Sequence, residues 1–114
     1  MAIATYADRV AETTATTGTG TLTLGGAISS QYQAFSGAFA SGTTVDYAIF
    51  GPAGWEVGSG VFTTTLSRLT VYASSNSGAL VSLTGTSTVI CTLPAAKIVT
   101  MGQAMAAVMA GAPQ

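Results

Sequence analysis

The sequence predicts a mainly β fold, an antiparallel β-sandwich or barrel of six to seven short strands with a short C-terminal helix. Three observations carry that expectation. Several short segments alternate with a period of two, Gly- and Pro-rich turns recur between them, and the last stretch loses the alternation and becomes rich in Ala and Met. The 114 residues suffice for one domain. Composition divides them into a β-rich part over 1–96 and an Ala/Met-rich helix or tail over 97–114.

The first strand is expected over Thr17-Gly18-Thr19-Gly20-Thr21-Leu22-Thr23-Leu24, where Thr occupies one face and Gly or Leu the other, until Gly25-Gly26 ends it. Val45-Asp46-Tyr47-Ala48-Ile49 alternates in the same way. Phe50-Gly51-Pro52-Ala53-Gly54 reads as a turn, because Pro and Gly supply the backbone angles that turns require. The chain returns through Trp55 to Val61, with Trp55, Val57 and Ser59 on one side and Glu56 and Gly58 on the other. Leu66 to Tyr72 forms a further candidate, ended by the polar turn Ser74-Ser75-Asn76-Ser77-Gly78. Leu80–Leu83 and Thr88–Leu93 complete the set, separated by Gly85 and closed by Pro94.

Residues 97–110 read as a helix, since Ala and Met are good helix formers and Ile98, Met101, Met105, Val108 and Met109 fall three and four apart. That apolar stripe suits either the chain's own sheet or a neighbouring subunit, to which Met side chains adapt readily.

Charge narrows the chemistry. Only 6% of the residues are charged, three Lys plus Arg and four Asp plus Glu, against about 25% in ordinary domains. With no His and one Cys, a histidine base, a Cys/His zinc site, an intrachain disulfide and an iron–sulfur centre are excluded. Three scattered cations and a net charge of −1 do not neutralise a run of phosphates, so no nucleic-acid partner is expected. Nor is a membrane partner, because every stretch long enough to span a bilayer is interrupted by Ser, Thr, Gly or charge. The N-terminal segment lacks the basic and apolar regions of a secretory signal. The single thiol of Cys91 fits synthesis in a reducing cytoplasm.

Few residues suggest catalysis. Asp8, Arg9 and Glu12 form one local charge cluster, read as salt-bridged or solvated. Asp46 and Glu56 flank the expected hairpin turn, but the sequence has no calcium loop to accompany them. The glycines between Gly18 and Gly26 lack the lysine of a phosphate loop, and the hydroxyls lack an activating base. Glu56 and Arg68 are each the lone charge of an apolar strand, and an ion pair between neighbouring strands or neighbouring subunits resolves both. Trp55, Tyr47, Tyr72, Phe35 and Phe39 offer material for a sugar-binding platform, although core packing is their default role. No cofactor and no metal is expected.

Three blocks in order carry a resemblance. The first runs from Ala7-Asp8-Arg9-Val10-Ala11-Glu12-Thr13-Thr14 through Thr17-Gly18-Thr19-Gly20 to Leu24-Gly25-Gly26-Ala27. The second is Trp55-Glu56-Val57-Gly58-Ser59-Gly60, and the third extends from Leu66-Ser67-Arg68-Leu69-Thr70-Val71-Tyr72 through Ala73-Ser74-Ser75-Asn76-Ser77-Gly78 to Ala79-Leu80-Val81. Together with Phe35, Phe39 and Leu93-Pro94-Ala95, they resemble a widespread group of bacteriophage virion proteins of the head- or tail-fibre type over residues 7–96. No fibre shaft or receptor-binding domain follows residue 96 in this sequence.

The resemblance implies a non-enzymatic structural protein of a bacteriophage virion, made in the bacterial host cytoplasm. It would be a small trimeric subunit attached to the particle that forms or anchors a head or tail fibre. A capsid decoration protein over capsomer junctions is the alternative, and a carbohydrate-binding module is the alternative of another class. The expected partners are the chain itself and other virion proteins of capsid, tail or fibre. The expected interface comprises Asp8, Arg9 and Glu12, the hydroxyl face Thr17, Thr19, Thr21 and Thr23, and the stripe Ile98, Met101, Met105, Val108 and Met109.

Overall fold

A computed structural model describes residues 3–98. In chain order these form β1 (Ala11–Thr14), β2 (Leu22–Thr23), the short helix α1 (Phe35–Ala38), β3 (Thr43–Gly51), β4 (Gly54–Phe62), β5 (Thr65–Leu66), β6 (Thr70–Ser74) and β7 (Ser87–Cys91); residues 95–98 are helical. The strands make one antiparallel sheet in the order β1-β7-β3-β4-β5-β2, with β6 also paired to β4, and the sheet curls into a half-barrel.

The hairpin of β3 and β4 is the spine. Its register runs unbroken from Thr43 opposite Phe62 to Gly51 opposite Gly54, leaving Pro52-Ala53 as a two-residue loop. Gly54 closes that loop at φ 130°, where a Cβ would lie 2.2 Å from the Ser75 hydroxyl. A strand's side chains alternate between faces, so the pairing fixes two surfaces. Val45, Tyr47 and Ile49 point inward beside Glu56, Gly58, Gly60 and Phe62, whereas Asp46, Ala48 and Phe50 point outward beside Trp55, Val57 and Ser59.

The inner surface holds the core. Leu22, Phe35, Phe39, Phe62, Leu66, Val81, Leu83 and Val89 pack on Val45, Tyr47 and Ile49, and the Phe35 ring centroid lies 5.9 Å from that of Phe39 and 6.1 Å from that of Phe62.

Four expectations need correction. The long strand over Thr17–Leu24 shrinks to β2, because Gly18 adopts φ 82° and bridges Leu83 instead. Leu80–Leu83 forms no strand, and Leu66–Tyr72 splits into β5 and β6. β1 arises where only a charge cluster was expected, and it pairs with β7 from Ala11 opposite Ile90 to Thr14 opposite Ser87. The stripe positions Met101, Met105, Val108 and Met109 lie outside the described residues, while Ile98 is exposed.

Candidate functional site: a buried ion pair and an uncharged outer face

Glu56 sits on the inward face of β4, fully buried, and its carboxylate is saturated. Arg68 Nη2 donates to Oε1 at 2.6 Å and Arg68 Nε to Oε2 at 3.1 Å, a two-point fork. The backbone N–H of Val81 reaches Oε1 at 2.9 Å, and the Tyr47 hydroxyl donates to Oε2. Arg68 spends its remaining donors on carbonyls of Val81 at 2.6 Å, Gly18 at 3.1 Å and Gly20 at 3.3 Å.

The pair therefore joins three segments distant in sequence. Burial pushes the Glu56 carboxyl up, but hydrogen bonds from Arg68, Tyr47 and Val81, with the Arg68 charge, outweigh it and hold the group below its usual value. Burial likewise lowers Arg68, and Glu56 more than restores it. Tyr47 is pushed well above the usual phenol range by burial and by its carboxylate partner. A saturated, buried pair has no lone pair or proton left for a substrate.

Asp46 is also fully buried, on the opposite face of the sheet from Glu56. The Tyr6 hydroxyl donates to its Oδ2, Lys97 Nζ lies 3.0 Å from the same oxygen, and the Tyr72 hydroxyl stands 3.5 Å from Oδ1. Burial and Asp46 raise Tyr6 to about 12. This clasp ties the segments before β1 and after β7 to the back of β3. Asp46 and Glu56, which flank the hairpin turn in sequence, are thus separated by the sheet itself. Among the described residues no cluster of three potential ligands is placed to hold a metal ion.

The expected interface residues scatter. Glu12, placed there by sequence, is instead inside the chain: Oε2 accepts the Phe35 N–H at 2.8 Å and Oε1 the Gly26 N–H at 2.9 Å. It thereby anchors the start of α1, which has no side-chain cap of its own. Asp8 and Arg9 are exposed, and the Arg9 guanidinium lies 3.9 Å above the Tyr32 ring. Thr17, Thr19, Thr21 and Thr23 are all exposed. Of the five aromatics considered for a sugar platform, Tyr47, Phe35 and Phe39 lie in the core, so they form no shared surface with Trp55.

A shallow cleft beside the clasp is lined by Tyr6, Ala7, Asp8, Cys91, Thr92 and Leu93. Burial pushes the Cys91 thiol above its ordinary value, so it presents no thiolate at neutral pH.

Sequence reasoning missed the outer sheet face. Ile90, Ala48, Val57 and Ala73 align in one row across β7, β3, β4 and β6, and Thr88, Phe50 and Trp55 in the next. Phe50 and Trp55 are each 46% exposed. The signal was present in the hairpin, where both alternating sets are apolar apart from one acid each, Asp46 and Glu56, and Ser59. No family model, no curated protein and no solved structure matches the chain.

Proposed function

We propose that this chain is a non-enzymatic structural subunit of a bacteriophage virion, a homo-oligomer attached to the particle that forms or anchors a head or tail fibre. One observation carries the structural part. Of the chain's seven charged side chains, Glu12, Asp46, Glu56 and Arg68 are buried, and Lys97 is drawn onto Asp46. Only Asp8 and Arg9 stand exposed, while Phe50, Trp55 and Leu69 are exposed apolar groups. A free monomer normally keeps mixed charges over its surface, and a surface this poor in charge is suited to cover by partners.

The virion assignment rests on the ordered blocks that resemble phage fibre-type proteins. The fold gives those blocks a common structural task, because Gly18, Gly20, Glu56, Arg68 and Val81 all belong to the same hydrogen-bonded hub. The non-enzymatic part is supported by the separation of the buried acids, each already satisfied within the chain.

Gold-labelled antibody against this chain, applied to purified particles, tests the reading. Labelling confined to fibres or their attachment points supports it. Labelling spread over the capsid transfers the subunit to decoration of capsomer junctions, and unlabelled particles overturn the virion assignment.

A further inference from the structure

We infer that the segment before β1, residues 3–8, is exchanged between copies of this chain, each copy laying it on the β3 edge of another. The inference rests on the self-assembling reading above and names the segment that performs it.

Only one edge of β3 is paired along its whole length, where β4 lines it from Thr43 to Gly51. On the other edge β7 reaches only from Phe50 to Tyr47, and the Thr92 N–H then takes the Asp46 carbonyl at 3.2 Å. The remaining slot, residues 43–45, is filled from the segment before β1. The Thr5 N–H donates to the Thr44 carbonyl at 2.9 Å, and Thr5 bridges Val45 in parallel register. Ala4 is buried, and the Tyr6 hydroxyl donates to the buried Asp46 carboxylate. The hold is slight, since Ile3 is 91% exposed and Thr5 and Tyr6 also face solvent. A vacated slot leaves a bare strand edge, with the Thr44 carbonyl and Asp46 each short of a partner. Residues 4–6 of another copy carry the same small side chain, extended N–H and phenol in the same order, so exchange repeats every contact of the slot.

The turn into β1 biases the chain toward exchange. Arg9 sits at φ 58°, a left-handed conformation that a residue other than Gly adopts at a cost. Rotation about its N–Cα bond to the extended region redirects every residue before it. The Arg9 carbonyl, bonded to the Gln33 N–H at 2.7 Å, and the guanidinium over Tyr32 lie beyond that bond and stay in place. The hydrogen bond given up is that of Gln33 Nε2 to the Asp8 carbonyl, at an exposed site where water replaces it. Strained hinges of this kind favour swapping. Reciprocal exchange closes at two copies, and onward exchange forms a ring of three or more, which accommodates the threefold arrangement expected from sequence.

Ala7 and Cys91 line the same cleft, with the Ala7 N–H against the thiol of the chain's single cysteine. Ala7→Cys therefore reports where the segment lies. Mild oxidation of the full chain links the two thiols within one chain if the segment is retained and between chains if it is exchanged, as read on a denaturing gel without reductant. The expected result is interchain linkage of the introduced thiol to Cys91, its share rising with protein concentration, while the wild type and Ala7→Cys combined with Cys91→Ser run unlinked. Arg9→Val and Arg9→Gly both remove the guanidinium, but only Gly accepts a φ near 58° freely, so the interchain share should be several-fold higher with Val. If Ala7→Cys does not fold, light scattering of the two Arg9 variants provides the same ranking. Association with the disulfide confined to single chains, or equal behaviour of the two Arg9 variants, overturns exchange while leaving the self-assembling reading intact. A chain that stays monomeric at every concentration overturns both, and antibody labelling of particles then decides the virion assignment separately.

Discussion

Arg68 and Glu56 meet as a two-point fork inside the half-barrel, Nη2 to Oε1 at 2.6 Å and Nε to Oε2 at 3.1 Å, with both side chains almost wholly removed from water. Breaking a buried pair leaves one charge unmatched, which costs about 3–5 kcal/mol. Arg68→Ala is therefore expected to lower the urea midpoint severely. Arg68→Lys should recover only part of the loss, because an ammonium cannot reproduce the fork or reach the carbonyls of Gly18 and Gly20 as well. An unchanged midpoint in Arg68→Ala would remove the pair from the list of what holds the fold together.

Acid should act through the same carboxylate. Glu56 titrates below its unfolded value when folded, so as pH falls the unfolded chain takes up the proton first. The stabilisation is complete above the unfolded value of about 4.3 and is lost as pH falls through the lower folded value. Denaturation of the wild type and of Glu56→Gln across that range is expected to show a wide gap at neutral pH that closes toward low pH. A gap independent of pH contradicts the assignment.

Glu12 should behave as a backbone anchor. Glu12→Ala strands the buried N–H of Phe35 and the partly buried N–H of Gly26, at about 1–3 kcal/mol. Amide hydrogen exchange at those two residues should accelerate more than at Tyr47. Uniform acceleration across the sheet would instead mean a general loss of stability.

Glycines supply a matched pair of substitutions. A Cβ on Gly60 would come within 1.7 Å of the Ser67 carbonyl oxygen, whereas one on Gly20 meets nothing within 4 Å. Gly60→Ala is expected to cost at least about 1–3 kcal/mol as overpacking, and Gly20→Ala to stay within about 0.5 kcal/mol. Thermal melts of the two variants check the difference.

The hairpin of β3 and β4 was legible because its alternation and its Gly51-Pro52-Ala53-Gly54 turn are local signals. The misread segments share one cause, which is not local. The N–H and C=O of Val81, which a strand over Leu80–Leu83 would have used in a ladder, go to Glu56 and Arg68. The carbonyls of Gly18 and Gly20 turn to the same guanidinium. Residues 67–69 oppose only Gly60 and Val61, so the chain bulges where Arg68 turns inward and one expected strand becomes β5 and β6. The Glu56–Arg68 pairing was readable as two lone charges in apolar strands; its reach into the backbone of two other segments, residues 18–20 and Val81, was not. Glu12 was misassigned to the surface for a related reason, since its partners lie 14 and 23 residues away and are main-chain N–H groups that carry no side-chain signature.

Cryo-electron microscopy of the intact particle, with this chain located in the map, tests the central claim most directly. The expected map shows copies at a fibre or its attachment point, with Phe50 and Trp55 of each copy covered by another protein surface. A particle without the chain, or copies whose Phe50 and Trp55 face open solvent, contradicts it.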